Sequence, residues 1–314
     1  MNGILVIDKP AGLSSHDVVN RVRRILDQRS VGHLGTLDPL ATGILPLVVG
    51  NLTRLAQFYT SSEKSYEGSI RFGFSTDTYD ADGDPTSIPR AIDLSLDHLT
   101  RIATEFQGAI TQLPPPFSAK KIKGVPAYKL ARKKQDVPLS PVQVEVKEFQ
   151  ILTCEGDTAT FRARVSSGTY VRSIAHEIGR ILGCGAHLAA LRRTMVAEFT
   201  LADAHTLASL ELARRGDRLA EDRPTNDRLE DLFIHPRKLL PHFPSVAVNE
   251  EQVSRIRTGQ TVNLPEFSNA RFVKAFQGQR DLIAIATRVA GTLFHPGIVF
   301  PAPTTSVPAL PLSS

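Results

Sequence analysis

Apolar positions along the chain fall into runs, alternations and helical stripes, and the switches between them mark its elements. Gly3-Ile4-Leu5-Val6-Ile7-Asp8-Lys9 is nearly all apolar and predicts a short buried strand ending in a turn at Pro10-Ala11-Gly12. Ser14 and Ser15 are good N-caps with Asp17 in the first turn, so a helix follows with Val18, Val22, Ile25 and Leu26 on its apolar face. Ile44 to Val49 reads as a buried strand, and Thr53 to Tyr59 as helical with Leu52, Leu55, Ala56 and Phe58 on one side. From Lys64 to Phe74 the pattern alternates, with Tyr66, Ile70, Phe72 and Phe74 sharing one parity. Leu94 to Gln107 has the three-and-four spacing of an amphipathic helix. Val142–Val146 and Ala159–Val165 alternate as strands. A helix is predicted next, with Val171, Ile174, Ala175, Ile178, Ile181 and Leu182 facing the core, and a further short helix from Gly183 to Thr194. Beyond a Pro-rich segment at 235–244, read as a linker, come the helix Glu250 to Thr258 and several short strands up to Phe300. These predict a small C-terminal β-barrel, 241–300. The Pro/Ser/Thr-rich tail 301–314 is expected to be disordered.

Composition narrows the class. The chain has 314 residues, 41% hydrophobic and 22% charged, as expected for a soluble globular protein. No apolar run approaches the ~20 residues of a membrane span, and the N-terminus shows no secretion signal, so a cytoplasmic location is expected. Cys154 and Cys184 make no metal-spaced pair and suit a reducing compartment. The net charge of +5 favours a polyanionic partner. The basic residues concentrate: Lys120 to Lys134 holds seven Lys or Arg, interleaved with Pro126, Ala127, Tyr128 and Leu130, which fits a phosphate-gripping lobe. Residues 203–231, by contrast, hold eight acids against five arginines and are expected to face away from a nucleic acid.

The candidate chemistry sits in Gly32-His33-Leu34-Gly35-Thr36-Leu37-Asp38-Pro39-Leu40-Ala41-Thr42-Gly43. Three glycines permit unusual backbone angles, and Pro39 stiffens the chain behind Asp38. A bare Asp-Pro is usually only a turn. Taken whole, however, the string resembles the motif of the TruB family of tRNA pseudouridine synthases, departing from it at Leu34, where threonine is more usual. Further matches are Asp8-Lys9-Pro10, the Lys-x-Tyr strand at Lys64 to Tyr66, Thr76 to Gly83, which the resemblance places near the cleft, Pro114 to Tyr128, and Ser166-Ser167-Gly168-Thr169-Tyr170-Val171-Arg172.

The resemblance implies an α+β fold: a mixed, mostly antiparallel central sheet with flanking helices over 1–240, followed by a PUA-like RNA-binding domain. It implies Asp38 as catalytic nucleophile, Arg172 paired with it, and Lys9 supporting its loop. Tyr66 would stack under the target base, Tyr170 lie against it, and Leu191 line the pocket. His33 is a candidate to fill the gap that a flipped base vacates. The insertion at 113–138 would clamp the T arm of tRNA, the T-loop uridine being the substrate. No cofactor, metal, membrane or protein partner is implied, and a monomer is expected. If the Asp38–Arg172 pair is fully buried, removing Asp38 leaves Arg172 without a counter-ion.

Two rival readings are weaker. A tRNA-folding chaperone without catalysis needs none of Asp38, Tyr66, Tyr170 and Arg172. A metal-dependent nuclease needs clustered ligands, and Asp80, Asp82 and Asp84 have no histidine near them in sequence and fail the EF-hand spacing.

Overall fold

The computed structural model describes residues 1–118, 120–122, 124–133, 135, 137–219 and 229–301. In chain order come β1 (Gly3–Lys9), α1 (Ser15–Leu26), β2 (Val31–His33), β3 (Thr42–Val49), a 3-10 stretch (Gly50–Phe58), β4 (Lys64–Phe72), α2 (Leu96–Glu105) and β5 (Gly108–Gln112). A small hairpin of β6 (Lys121–Ile122) and β7 (Val125–Pro126) leads to α3 (Ala127–Arg132), β8 (Val142–Glu155), β9 (Thr158–Val165), α4 (Val171–Ile181) and β10 (Ala186–Val196). Then follow β11 (Phe199–Thr200), β12 (Ala204–His205) and α5 (Leu207–Leu219). The C-terminal part holds β13 (Ser245–Ala247), α6 (Glu250–Arg257), β14 (Val262–Asn263), β15 (Phe272–Gln277), β16 (Asp281–Ala290) and β17 (Leu293–Val299).

The central sheet runs β12-β1-β3-β10-β4-β9-β8-β5, with β2 on β3 and β11 on β10. Only β1/β12 and β3/β10 are parallel, so the expected mixed, mostly antiparallel sheet is present. Its alternation divides two cores. Leu5 and Ile7 of β1 and Leu45, Leu47 and Val49 of β3 join the core that also holds Val18, Val19 and Val22 of α1, Ile174 and Ile178 of α4 and Leu210 of α5. Ile4 and Val6, with Ile44 and Val48, point the other way, into a cluster shared with Phe276, Leu282, Ile285, Ile298 and Phe300. Helix α1 begins with a capping box between Ser14 and Asp17, which satisfies otherwise unpaired first-turn amides.

The C-terminal strands form a five-stranded sheet, β13-β15-β16-β17-β14. Val246 and Val262 on its two edge strands meet Val253 and Ile256 of α6 and Phe294 in one core, so the sheet curls on itself.

Three expectations change. The segment Gly183 to Thr194 is not a helix: most of it is β10, paired with β4 along its length and with β3 at one end. Ala, Leu and Arg favour helix in isolation, and shifts of register after Leu188 and Arg193 break the strict alternation that would reveal a strand. Ile181 does not face the core but is 44% exposed at the end of α4. The supposed linker is packed: Leu239, Leu240 and Phe243 are buried in the shared cluster, with Phe243 edge-on to Phe58 at 5.3 Å. Of the basic lobe, Lys123 and Lys134 lie outside the described residues, as do the side chains of Lys121, Lys129 and Arg132, and the tail from 302 onwards. No helix among the described residues is long and apolar enough to cross a membrane.

Candidate active site

The loop between β2 and β3 carries Asp38, and its backbone is held from several directions. The Ser15 hydroxyl, at the start of α1, donates to the Leu37 carbonyl at 3.0 Å and accepts from the Leu37 amide at 2.7 Å. Lys9, fully buried at the end of β1, donates to the carbonyls of Pro10, Leu13 and Pro39 at 2.9, 2.6 and 3.2 Å. The Gly12 amide adds a bond to Pro39 at 2.9 Å. Arg193 of β10, also fully buried, donates to the carbonyls of Gly35, Thr36 and Ile44. Gly43 must be glycine: its φ is +94°, and a Cβ would run into the Arg193 backbone. Asp38 thus leaves the chain between immobilised neighbours, which is what positioning a reactive group needs.

Its carboxylate accepts from Arg172 Nε at 2.9 Å. Arg172 is 6% exposed in the first turn of α4, and its other nitrogens are also engaged. Nη1 donates to the Thr78 carbonyl at 2.9 Å and lies 3.4 Å from the Asp80 carboxylate; Nη2 donates to the Phe117 carbonyl at 2.9 Å. One guanidinium therefore serves two carboxylates. Asp80 is itself fixed by the Thr78 hydroxyl at 2.6 Å and the Asp82 amide at 3.1 Å. Burial pushes the Asp38 carboxyl above the usual carboxylate range; Arg172, then Lys9, oppose the rise, and the like charge of Asp80 adds to it.

A cleft of about 420 Å³ opens over Asp38. His33, Tyr66, Tyr170, Arg172 and Leu191 line it with Asp38, so the structure brings six of the seven expected residues to one cleft, and Lys9 lies under the loop that carries Asp38. Tyr66 on β4 is buried by its ring and sits opposite Arg193 of β10. Tyr170 caps α4, and buried Gln112 grips its backbone twice, donating to its carbonyl at 3.0 Å and accepting from its amide at 2.7 Å. The His33 Nδ1 accepts from the Gly35 amide at 3.3 Å, and burial, then the charge of Arg193, holds the imidazole below its ordinary pKa, so it is neutral at pH 7. Lys64 reaches the same cleft; burial and Arg193 hold its amine at about 8.

The sequence reading missed Asp80, Arg193, Lys64, Gln112 and Ser15 as parts of this site. Asp80 has a signal in Thr76-Asp77-Thr78-Tyr79-Asp80, part of a string that matches the family, to which no role was given. Arg193 was hidden inside the segment taken for a helix. Among the described residues no group of His, Cys, Asp or Glu is arranged to hold a metal.

Comparison with known proteins gives the family and the fold. Residues 23–171 match the family model for the N-terminal domain of TruB family pseudouridylate synthases, and 172–233 match that for the tRNA pseudouridylate synthase B C-terminal domain. The tRNA pseudouridine synthase B of Solibacter usitatus is 49% identical over 95% of this chain and 100% of its own length. That of Syntrophotalea carbinolica is 42% identical over 82% of this chain and 81% of its own. A solved Cbf5-Nop10-Gar1 complex superposes with a TM-score of 0.68 at 26% identity, covering 92% of this chain and 79% of that one. A pseudouridine synthase fold, a cleft built around one aspartate and a relative matched along its whole length lead to one assignment: the chain belongs to the TruB family of tRNA pseudouridine synthases.

Proposed function

We propose that this tRNA uridine isomerase acts on the T-loop uridine, with Asp38 as its nucleophile. The observation that carries the reading is the Asp38 carboxylate, paired to Arg172 at 2.9 Å and facing a cleft lined by Tyr66, Tyr170 and Leu191. Isomerisation breaks the bond from ribose C1′ to N1 and makes one from C1′ to C5, releasing the C5 hydrogen as a proton. The detached uracil must be held and turned while C1′ is controlled. Asp38 attacks C1′ or assists departure of the base, and Arg172 favours its ionised form. The flat faces of Tyr66 and Tyr170 and the apolar Leu191 hold the ring; stacking of this kind contributes roughly 1–3 kcal/mol per base. The neutral ring of His33 suits it to fill the stack that the flipped base leaves. Lys9 works at a distance, by fixing the Pro39 carbonyl.

In this reading residues 1–240 are the catalytic domain and 241–300 a PUA-like RNA-binding domain, in a monomeric cytoplasmic enzyme. The lobe at 113–138 grips phosphates of the T arm. Neutralising its cations is expected to weaken binding across RNA sequences and flatten the salt dependence; an unchanged salt slope removes the lobe from the interface.

The test of the whole reading is a paired measurement on one preparation: tritium release from C5-labelled uridine in unmodified tRNA, and filter binding of the same tRNA. Asp38→Asn is expected to abolish release and keep binding, since affinity comes mainly from phosphate contacts elsewhere. Substantial release by the Asn variant, with reversion to Asp excluded by mass spectrometry, overturns the assignment.

A further inference from the structure

Arg193 is a fully buried arginine, and among the described residues no carboxylate forms an ion pair with it. A buried cation without a close counter-ion is costly, by several kcal/mol per ion, so the fold retains it against a penalty. Its hydrogen bonds show where it acts. Nε donates to Ile44 O at 2.9 Å, Nη1 to Thr36 O at 3.2 Å and Nη2 to Gly35 O at 3.1 Å. Gly35 and Thr36 lie before Asp38 in the loop, and Ile44 lies on β3 just after it. One rigid fork therefore bridges the two ends of the segment that carries the aspartate.

The surroundings are built to let it do so. β10 reaches β3 only at Arg192↔Thr42 and Arg193↔Gly43, and the missing Cβ of Gly43 is what lets the two backbones approach. Across the sheet on its other side, Arg193 lies in register with Tyr66. Burial lowers the affinity of Arg193 for its proton, while the Tyr66 hydroxyl and, more weakly, the Asp38 charge sustain it. The cation thus stands behind both the aspartate loop and the aromatic wall.

We propose that Arg193 is a positioning residue for the isomerisation: it clamps both ends of the Asp38 loop and sets the loop against Tyr66, without touching RNA itself. The proposal rests on Asp38 being the nucleophile. A role in stability alone would lower Tm and leave kcat unchanged at a fixed interval below Tm; an apolar side chain of similar volume separates the two, because it removes the buried charge and takes the donor from three carbonyls. Such a side chain would leave the Gly35 and Thr36 carbonyls unheld and the loop free to shift. A misplacement of about 1 Å at a reacting group costs ~100-fold in rate.

The experiment compares Arg193→Met, Arg193→Lys, Asp38→Asn and, as a stability control outside the cleft lining, Leu210→Ala, at a buried leucine of α5. Single-turnover and steady-state tritium release give kcat and KM, filter binding gives Kd for unmodified tRNA, and thermal melting gives Tm. Arg193→Met is expected to lose ~100-fold in kcat with KM and Kd within about threefold of wild type. Arg193→Lys, which keeps a charge and part of the clamp, is expected to fall between Met and wild type. Leu210→Ala is expected to lower Tm and keep kcat below its melting range.

Wild-type kcat in Arg193→Lys overturns the proposal, and this arm stands even if the Met variant fails to fold. So does a rise in KM at constant kcat, or a loss of rate in the Arg193 variants no larger than that of Leu210→Ala at the same interval below Tm. An active Asp38→Asn defeats the nucleophile assignment instead, so the two failures are told apart.

Discussion

Replacing Asp38 by Asn is expected to remove activity and, at neutral pH, to leave the protein as stable as wild type or more so. The usual cost of breaking a buried pair, about 3–5 kcal/mol, is the cost of an abandoned charge. Arg172 is not abandoned: it keeps Asp80 at 3.4 Å and the carbonyls of Thr78 and Phe117. The Asn oxygen still accepts from Nε. The Asp38 side chain is 39% exposed through the mouth of the cleft, so solvent screens its pair and limits that contribution to ~1 kcal/mol. Against this loss stands relief from ionising a carboxyl that burial and Asp80 push upward.

The sign follows from linkage. The folded pKa of Asp38 lies above the unfolded value, so its contribution to stability is present in full below the ordinary carboxylate value and is lost as pH rises through the folded value. Asn does not titrate. The difference in Tm, variant minus wild type, should therefore grow as pH is raised from acid to neutral, reaching roughly +1 to +3 °C for ~1 kcal/mol. Differential scanning fluorimetry from pH 4 to 8, with tritium release on the same samples, tests it. An inactive variant melting several degrees below wild type at pH 8, or a Tm gap that does not move with pH, refutes the reasoning.

Lys9→Met removes three hydrogen bonds, of which the Pro39 carbonyl alone keeps another donor, the Gly12 amide, and should destabilise by roughly 2 kcal/mol, with a fall in kcat. Burial holds Lys9 at about 8, well below 10.5, so the unfolded chain binds the extra proton between these values, and wild type should gain stability as pH rises through that window. Denaturant titrations at pH 7.5 and 10 should show a smaller gain in the Met variant; an equal gain assigns the effect to other groups such as Lys64. Tyr66→Leu should be strongly impaired by loss of the ring, and Tyr66→Phe as well if the hydroxyl moves a proton; near-normal turnover by Phe makes Tyr66 a platform only. A chain ending at Leu240 loses Phe243, Phe276, Leu282, Ile285, Ile298 and Phe300 from the shared cluster. With roughly 1.5–3 kcal/mol per large apolar side chain, it should melt well below the full chain and bind ANS; an unchanged Tm makes the cluster dispensable.

The site was legible where chemistry is local. The loop around Asp38 shows its glycines, proline and acid in one string, and α1 shows its cap and stripe, because both are settled within a dozen residues. β10 was misread because its strand character comes from neighbours 114 to 150 residues earlier in sequence, which overrule the helical preference of Ala-Ala-Leu-Arg-Arg. Arg193 and Asp80 went unnoticed for a related reason: nothing beside them in sequence tells a surface charge from one turned inward. Segment 235–244 was read as a linker from its prolines, yet Leu239, Leu240 and Phe243 supply the apolar contacts that its composition underplays.

The two-sided burial of β1 bears on how the chain is made. Ile4, Leu5, Val6 and Ile7 leave the ribosome well before the residues that cover them. The cover for Leu5 and Ile7 includes α5, and the cluster around Ile4 and Val6 includes Ile298 and Phe300. One hydrogen-bonded flank of the strand waits for Ala204 and His205. At ~5–20 residues per second this apolar segment stays uncovered for tens of seconds before its last partners exist. Synthesis thus offers an early, sticky strand for chaperone binding or premature pairing, and the rate of native closure is set by long-range contacts rather than by the helices.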